Sequence, residues 1–218
     1  MKMLLPVVEK FVSIQGEGEW TGTVMTFIRF GGCPVGEAGS VEGKGKGWDI
    51  CTLPNGYRFK CDTAFASKAL ESDVDIAVEI PSNTHVCITG GEPAIYDLTG
   101  LVERLIHKNV WVHVETSGTV EPKPWMKECW ITVSPKQGYR DDMIKEADEI
   151  KWLISKRCGL GQEEIDKLLS WVEMGKSVFL QPIYDVDYEK NLEYAIIMCK
   201  SFSQLRLSVQ LHKIIGVR

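Results

Sequence analysis

An α/β fold with a mostly parallel sheet, closed only part-way into an open (β/α) barrel, is predicted by three observations. Short apolar runs rich in Val, Ile and Phe alternate with stretches of helical periodicity. The strand-like runs are nearly continuous in apolar character, as expected of parallel strands covered by helices. The chain of 218 residues is too short to supply eight strand–helix units comfortably, which argues against a full barrel.

Strands are expected in order at Val24–Phe30, His85–Thr89, Val110–Glu115, Trp130–Ser134, Glu149–Ile154, Val178–Gln181 and Leu205–Leu211. Helices are expected at Leu98–Lys108, Gln162–Met174 and Tyr188–Phe202, where apolar positions recur on one face, as with Leu98, Leu101, Val102, Leu105 and Ile106. There is no internal repeat and no interdomain linker, so residues 1–218 are expected to form one domain. The Pro34–Lys60 stretch is the exception to the pattern: its 36–47 portion holds five glycines and almost nothing to bury. Only 33 residues precede it, too few for a core, so it reads as a long loop of the kind that compact domains reserve for function.

Composition is ordinary for a globular protein, with 44% hydrophobic and 25% charged residues. The formal net charge of -5 offers no basic face for a polynucleotide. No apolar run reaches the roughly 18 residues of a membrane span, and the N-terminus is interrupted too soon by Pro6 for a signal peptide. A cytoplasmic protein without nucleic-acid or membrane partners is the expectation.

Seven cysteines need a reason, and an odd count with these spacings fits no secreted disulfide framework. Cys87, Cys129, Cys158 and Cys199 lie in or beside apolar runs, where free cysteine behaves as a small hydrophobe. Cys33, Cys51 and Cys61 bracket the glycine-rich stretch instead. As soft ligands they suit zinc or an iron–sulfur cluster, and by themselves they leave a cluster, zinc and no metal all open. A second signal comes from the strand ends. Thr89-Gly90-Gly91-Glu92-Pro93, Glu115-Thr116-Ser117-Gly118-Thr119, Ser134-Pro135-Lys136 and Gln181-Pro182 each follow a strand. In a parallel α/β sheet ligands bind beyond the carboxyl ends of the strands, so four such ends point to a site.

The three cysteines followed by Gly90-Gly91-Glu92-Pro93 resemble the radical S-adenosylmethionine (SAM) superfamily. Within it, the chain is similar to the 7-carboxy-7-deazaguanine synthase family. That likeness is carried by Ser13–Gly18, Phe27–Cys33, Cys61-Asp62-Thr63, Ile88–Pro93, Glu115–Thr119, Val133–Lys136, Gln181-Pro182 and Arg206–Lys213, in order along the whole chain. The departure is the cysteine spacing. The superfamily pattern Cys-x3-Cys-x2-Cys is replaced by gaps of residues 34–50 and 52–60, with Cys51 between two better anchored cysteines.

The resemblance implies a fold of the radical SAM type with a cluster-binding loop at 34–60. It implies a four-iron four-sulfur cluster on Cys33, Cys51 and Cys61, and SAM held by Lys60, Asp62, Gly91, Glu92, Ser117, Ser134, Pro135, Lys136 and Gln181. It further implies magnesium at Thr63, and a pterin substrate at Ile14, Gln15, Gly16, Glu17, Arg29, Thr89 and Arg218. No side chain is catalytic in this reading, because SAM carries the radical. The implied reaction turns 6-carboxy-5,6,7,8-tetrahydropterin into 7-carboxy-7-deazaguanine with loss of ammonia; a flavodoxin-like electron donor and a homodimer are implied with it.

Two alternatives stand beside this reading: another radical SAM enzyme, such as a glycyl-radical activase, and a zinc-stabilised binding protein without catalysis. Blander roles are open for single residues. Arg29 could pair with a carboxylate at a strand end, while Glu115 and Ser117 could satisfy backbone groups. His212 and Lys213 could be structural or surface groups, Lys44 and Lys46 read as solvated loop charges, and Trp111, Trp125, Trp130, Trp152 and Trp171 as core or interface residues.

Overall fold

A computed structural model describes residues 2–35, 37–39, 48–61, 63 and 69–218. Its strands are β1 Leu4–Ile14, β2 Val24–Phe30, β3 Glu37–Gly39, β4 Trp48–Thr52, β5 Arg58–Lys60, β6 Ala69–Ser72, β7 His85–Gly90, β8 Trp111–Thr116, β9 Trp130–Val133, β10 Glu149–Ile154, β11 Ser177–Pro182 and β12 Arg206–Leu207. The helices are α1 Asp73–Glu79, α2 Thr99–His107, α3 Asp141–Glu146, α4 Gln162–Glu173, α5 Tyr188–Ser201 and α6 Leu211–Ile215. Among the described residues, nine strands form one sheet in the order β12-β11-β10-β9-β8-β7-β2-β1-β6. Every pairing from β2 to β12 is parallel, and β1 runs antiparallel to both β2 and β6. The outermost strands, β12 and β6, do not pair with each other, so the sheet stays open.

The two faces of the sheet differ in chemistry. One carries Ile28, Phe30, Val86, Ile88, Val114, Val133, Ile150, Trp152 and Leu180, packed into the main core with Leu101 and Leu105 of α2, Leu168 and Trp171 of α4 and Ala195 of α5. Removing apolar surface from water at these positions is the main driving force for this layer. The other face follows the register Arg29, Thr89, Glu115, Thr132, Glu149 and Ser177 from strand to strand. This row begins near the end of β2 and finishes at the start of β11, the progressive stagger that accompanies strand tilt in a barrel. Side chains from β1, β2, β7, β8, β10 and β11 line one cavity on this face, which requires the sheet to curve around it.

The structure departs from the expected elements in several places. β1 was not foreseen: its eleven residues include Pro6, Glu9, Lys10 and Ser13, which break both an apolar run and a clean alternation. The expected strand Leu205–Leu211 shortens to β12, because Ser208 turns inward to Gln181 and Leu211 opens α6. The expected loop contains a small antiparallel sheet, β3-β4-β5, in which Cys51 pairs with Phe59. Lys44 and Lys46 lie outside the described residues. Cys158 is exposed rather than in the core, as its position in the Ser155–Gly159 turn after β10 dictates. Trp111 is 57% exposed at the start of β8, while Trp125, Trp152 and Trp171 are buried as expected.

Candidate active site

The cavity on the concave face holds about 240 Å3. Cys33, Cys51 and Cys61 line it, although 17 residues and 9 residues separate them in sequence. Each is positioned by a different device. Cys33 follows β2 through Gly31-Gly32, where Gly32 has φ +79° and the Tyr96 hydroxyl donates to the Gly31 carbonyl at 2.7 Å. Cys51 sits on β4 and is buried, beside Leu53 at 1% exposure. The strand is docked on the barrel by the Gln137 N–H, which donates to the Thr52 carbonyl at 2.9 Å. Cys61 follows β5 directly. The Cys51 and Cys61 thiols are hydrogen-bonded to each other, and that bond together with burial pushes the Cys51 thiol above its ordinary value. Three thiols on one wall form a soft donor set that fits an iron–sulfur cluster with one iron left open to another ligand.

Strand ends supply the next wall. Gly90 has φ +120°, a conformation that favours glycine. Gly91, Ser117, Ser134, Lys136 and Gln181 line the cavity, as do Lys60 and Thr63. Lys136 is buried, its Nζ donating to the Ser134 carbonyl and hydroxyl oxygens at 2.8 Å each and lying 5.9 Å from the centre of the Phe59 ring. Burial lowers its pKa against the pull of Cys51 and Cys61.

Two expected residues stand elsewhere. Glu92 is fully buried and does not line the cavity. Its Oε1 accepts from Thr116 Oγ1 at 2.7 Å and Ala94 N at 3.1 Å, and its Oε2 from Ser117 N at 2.8 Å and Ser117 Oγ. A carboxylate offers about four lone-pair sites, so these four donors leave none for a ligand; Glu92 instead pins the end of β7 to the end of β8. Pro135 is buried beneath the wall. Asp62 lies outside the described residues.

The remaining wall comes from β1, the connection to β2, and the chain end. Ile14, Gln15, Gly16, Glu17, Arg29, Thr89 and Arg218 all line the cavity. Gly16 is in contact with the His212 ring, where a Cβ would lie 2.2 Å from Nδ1, and its carbonyl accepts from Leu211 N at 2.9 Å. Arg29 Nη1 is 3.5 Å from Glu9 Oε1 in the interior of β1, a carboxylate pairing like the alternative left open for it, and its guanidinium lies 5.4 Å from the Phe11 ring centre. Its buried Nε has no hydrogen-bond partner among the described residues. The Arg218 side chain pairs with Glu9, and its backbone oxygen accepts from Ser13 Oγ.

Several lining residues were not legible as site residues. Phe11 and Phe27 stack with centroids 5.2 Å apart and planes 9° from parallel. Lys151, Leu153 and Gln210 join them, with His212 and Lys213 from α6. The usable signal was Lys151 itself, a charge in the interior of a strand whose other residues after Glu149 are apolar.

A partly closed parallel barrel whose strand ends share one cavity with three thiols is the architecture of a radical SAM enzyme, and fold and site together place the chain in that class. No family model matches the chain. The 7-carboxy-7-deazaguanine synthase of Escherichia coli K12 is 31% identical over 239 residues, covering 99% of this chain and 100% of the relative. That of Bacteroides thetaiotaomicron is 33% identical over 220 residues, with the same coverage. A crystal structure of QueE from Escherichia coli matches with a TM-score of 0.73 and 29% identity over 96% of this chain and 95% of that one. The chain belongs to the 7-carboxy-7-deazaguanine synthase family.

Proposed function

We propose that the chain converts 6-carboxy-5,6,7,8-tetrahydropterin to 7-carboxy-7-deazaguanine with loss of ammonia, toward queuosine-type 7-deazapurines. The observation that carries the reading is the meeting of Cys33, Cys51 and Cys61 with the ends of β7, β8, β9 and β11 around one cavity. The names of the full-length relatives support it. Cys33, Cys51 and Cys61 hold a four-iron four-sulfur cluster, and Gly91, Ser117, Ser134, Lys136, Gln181 and Lys60 surround SAM. When bound, the reduced cluster and SAM supply a carbon-centred radical for hydrogen abstraction. Thr63 offers a hydroxyl oxygen to magnesium, a hard cation that takes oxygen ligands.

The protein's share is positioning and exclusion of water. Arg29 lines the cavity, and its planar guanidinium is suited to a two-pronged pair with a substrate carboxylate. Gln15, Glu17 and Thr89 present polar groups to the pterin ring, Ile14 and Gly16 its apolar and close-packed surround. Arg218 closes the site beside Ser13, whose Oγ donates to its backbone oxygen. Glu92 acts through the backbone of Ser117, not on a ligand. A flavodoxin-like protein delivers the electron, and the working unit is a homodimer. Metal analysis of the anaerobically reconstituted protein tests the assignment: iron with equimolar acid-labile sulfide is expected, whereas zinc without sulfide would support a non-catalytic metal site and refute it.

A further inference from the structure

Lys151 is a buried cation shared by two cavity carboxylates from distant parts of the chain. Its Nζ donates to Glu115 Oε1 at 3.0 Å and to Glu17 Oε2, and its side chain is 5% exposed. Glu17 lies in the β1–β2 connection, Glu115 on β8 and Lys151 on β10, so one ammonium ties three elements. The network continues outward. Glu17 Oε1 accepts from Gln210 Nε2 at 2.7 Å, and Gln210 Oε1 accepts from Lys213 Nζ at 2.8 Å. Glu115 also accepts from Thr89 Oγ1 at 2.9 Å and Gln15 Nε2 at 3.3 Å.

Two carboxylates gathered in a buried space would take up a proton unless a cation stood between them. Burial opposes the charge on Glu17, yet Lys151 and Gln210 hold its carboxyl down to about 2. Burial likewise opposes the charge on Lys151, and Glu115, Glu17 and Glu149 outweigh it and raise its pKa. Both acids act as acceptors toward Lys151 and their other partners. Of about four lone-pair sites each, Glu17 uses two and Glu115 three among the described contacts. The sites left over belong to carboxylates that line the cavity.

We infer that Lys151 is a positioning residue for substrate recognition, holding Glu17 and Glu115 oriented to accept hydrogen bonds from the N–H groups of the bound pterin. Through Gln210 the same residue links this recognition floor to the C-terminal segment. The inference rests on the pterin reading above, and Lys151 acts through the two carboxylates.

The test compares reconstituted wild type with Lys151→Met, Lys151→Arg, Glu17→Gln and the Glu17→Gln, Lys151→Met double variant. Measured are iron content, SAM affinity, and KM and kcat for carboxytetrahydropterin. Lys151→Met is expected to raise the pterin KM on the order of 100-fold, as for loss of one partner of a buried charge pair. Iron content and SAM affinity stay at wild-type levels, and Lys151→Arg recovers most of the loss. In the double variant the two losses are not additive, because both act on one carboxylate. An unchanged pterin KM, additive losses, or a parallel fall in iron content and SAM affinity would each overturn the inference. If wild type does not bind the pterin, the substrate reading fails; the positioning claim is then decided by the Lys151–Glu17 coupling in the unfolding midpoints of the same proteins, where zero coupling overturns it.

Discussion

Gly91 rests against the backbone of Gly32: a Cβ on Gly91 would lie 1.8 Å from the Gly32 carbonyl oxygen and 3.3 Å from Cys33 Cβ. Two hydrogen bonds close the same contact, Gly91 N to the Phe30 carbonyl at 2.9 Å and Glu92 N to the Gly32 carbonyl at 2.8 Å. The paired glycines thus act first on the segment that delivers Cys33, and only by way of it on a ligand. Gly91→Ala forces this backbone apart. It should cost about 1–3 kcal/mol, the usual range for overpacking, and lower iron loading. Urea unfolding and iron analysis of the reconstituted variant check both; a variant that loads iron fully with unchanged stability would contradict the contact's role.

The cysteines divide by position. Cys33→Ala, Cys51→Ala and Cys61→Ala should each abolish cluster assembly, read from the visible absorbance and sulfide content after reconstitution. Cys158→Ser, at an exposed thiol, should leave the cluster intact and stability within about 0.5 kcal/mol of wild type. A full-strength cluster in Cys51→Ala would show that the docked β4 thiol is not a ligand.

Thr63 stands in the cavity wall two residues beyond Cys61. Thr63→Ala should retain the cluster and lose most of the magnesium stimulation of turnover, measured by titrating magnesium at saturating SAM. An identical magnesium curve for variant and wild type would remove the metal from this residue.

Two buried groups give opposite pH dependences. Burial, aided by His85, lowers His113 from 6.5 to about 4, so its contribution is complete above pH 6.5 and is lost as pH falls toward 4. Burial raises Glu149 from 4.5 to about 7 against the pull of Lys151, so its contribution is present below pH 4.5 and is lost as pH rises through 7. Each is worth on the order of 3 kcal/mol across its window. Between pH 4.5 and 6.5 the slopes oppose and largely cancel; Glu17, at about 2, contributes its change below that window. Glu149→Gln should therefore lose stability steadily on acidification from pH 6.5 to 4.5 in urea titrations. A flat profile in that variant would refute the assignment.

How much of this was readable in the sequence depended on the range of the interaction. Strands β2, β7, β8, β9, β10 and β11 were legible because their outward residues, such as Val86, Ile88, Val112 and Val114, pack under helices and keep an apolar pattern, whereas the short β3, β4, β5 and β6 show no such pattern. β1 was not, because Glu9 and Lys10 serve the partners Arg29, Arg218, Glu71 and Glu79 across the fold. The short helices α1 and α3 are too brief for periodicity to register. At the site, residues of contiguous motifs such as Gly90-Gly91, Ser134 and Lys136 line the cavity, whereas Glu92 and Pro135 do not. The Glu17–Lys151–Glu115 network was invisible, since its members are 134 and 36 positions apart and only the folded sheet brings them together.

The most direct test of the central claim is a complete anaerobic reaction. Reconstituted protein would be given reductant, SAM, magnesium and 6-carboxy-5,6,7,8-tetrahydropterin, and the products read by mass spectrometry beside reactions lacking SAM or pterin. The account predicts 7-carboxy-7-deazaguanine and ammonia in the complete mixture and in neither control. A reconstituted cluster that cleaves SAM without forming that product would contradict the proposed substrate while leaving the enzyme class in place.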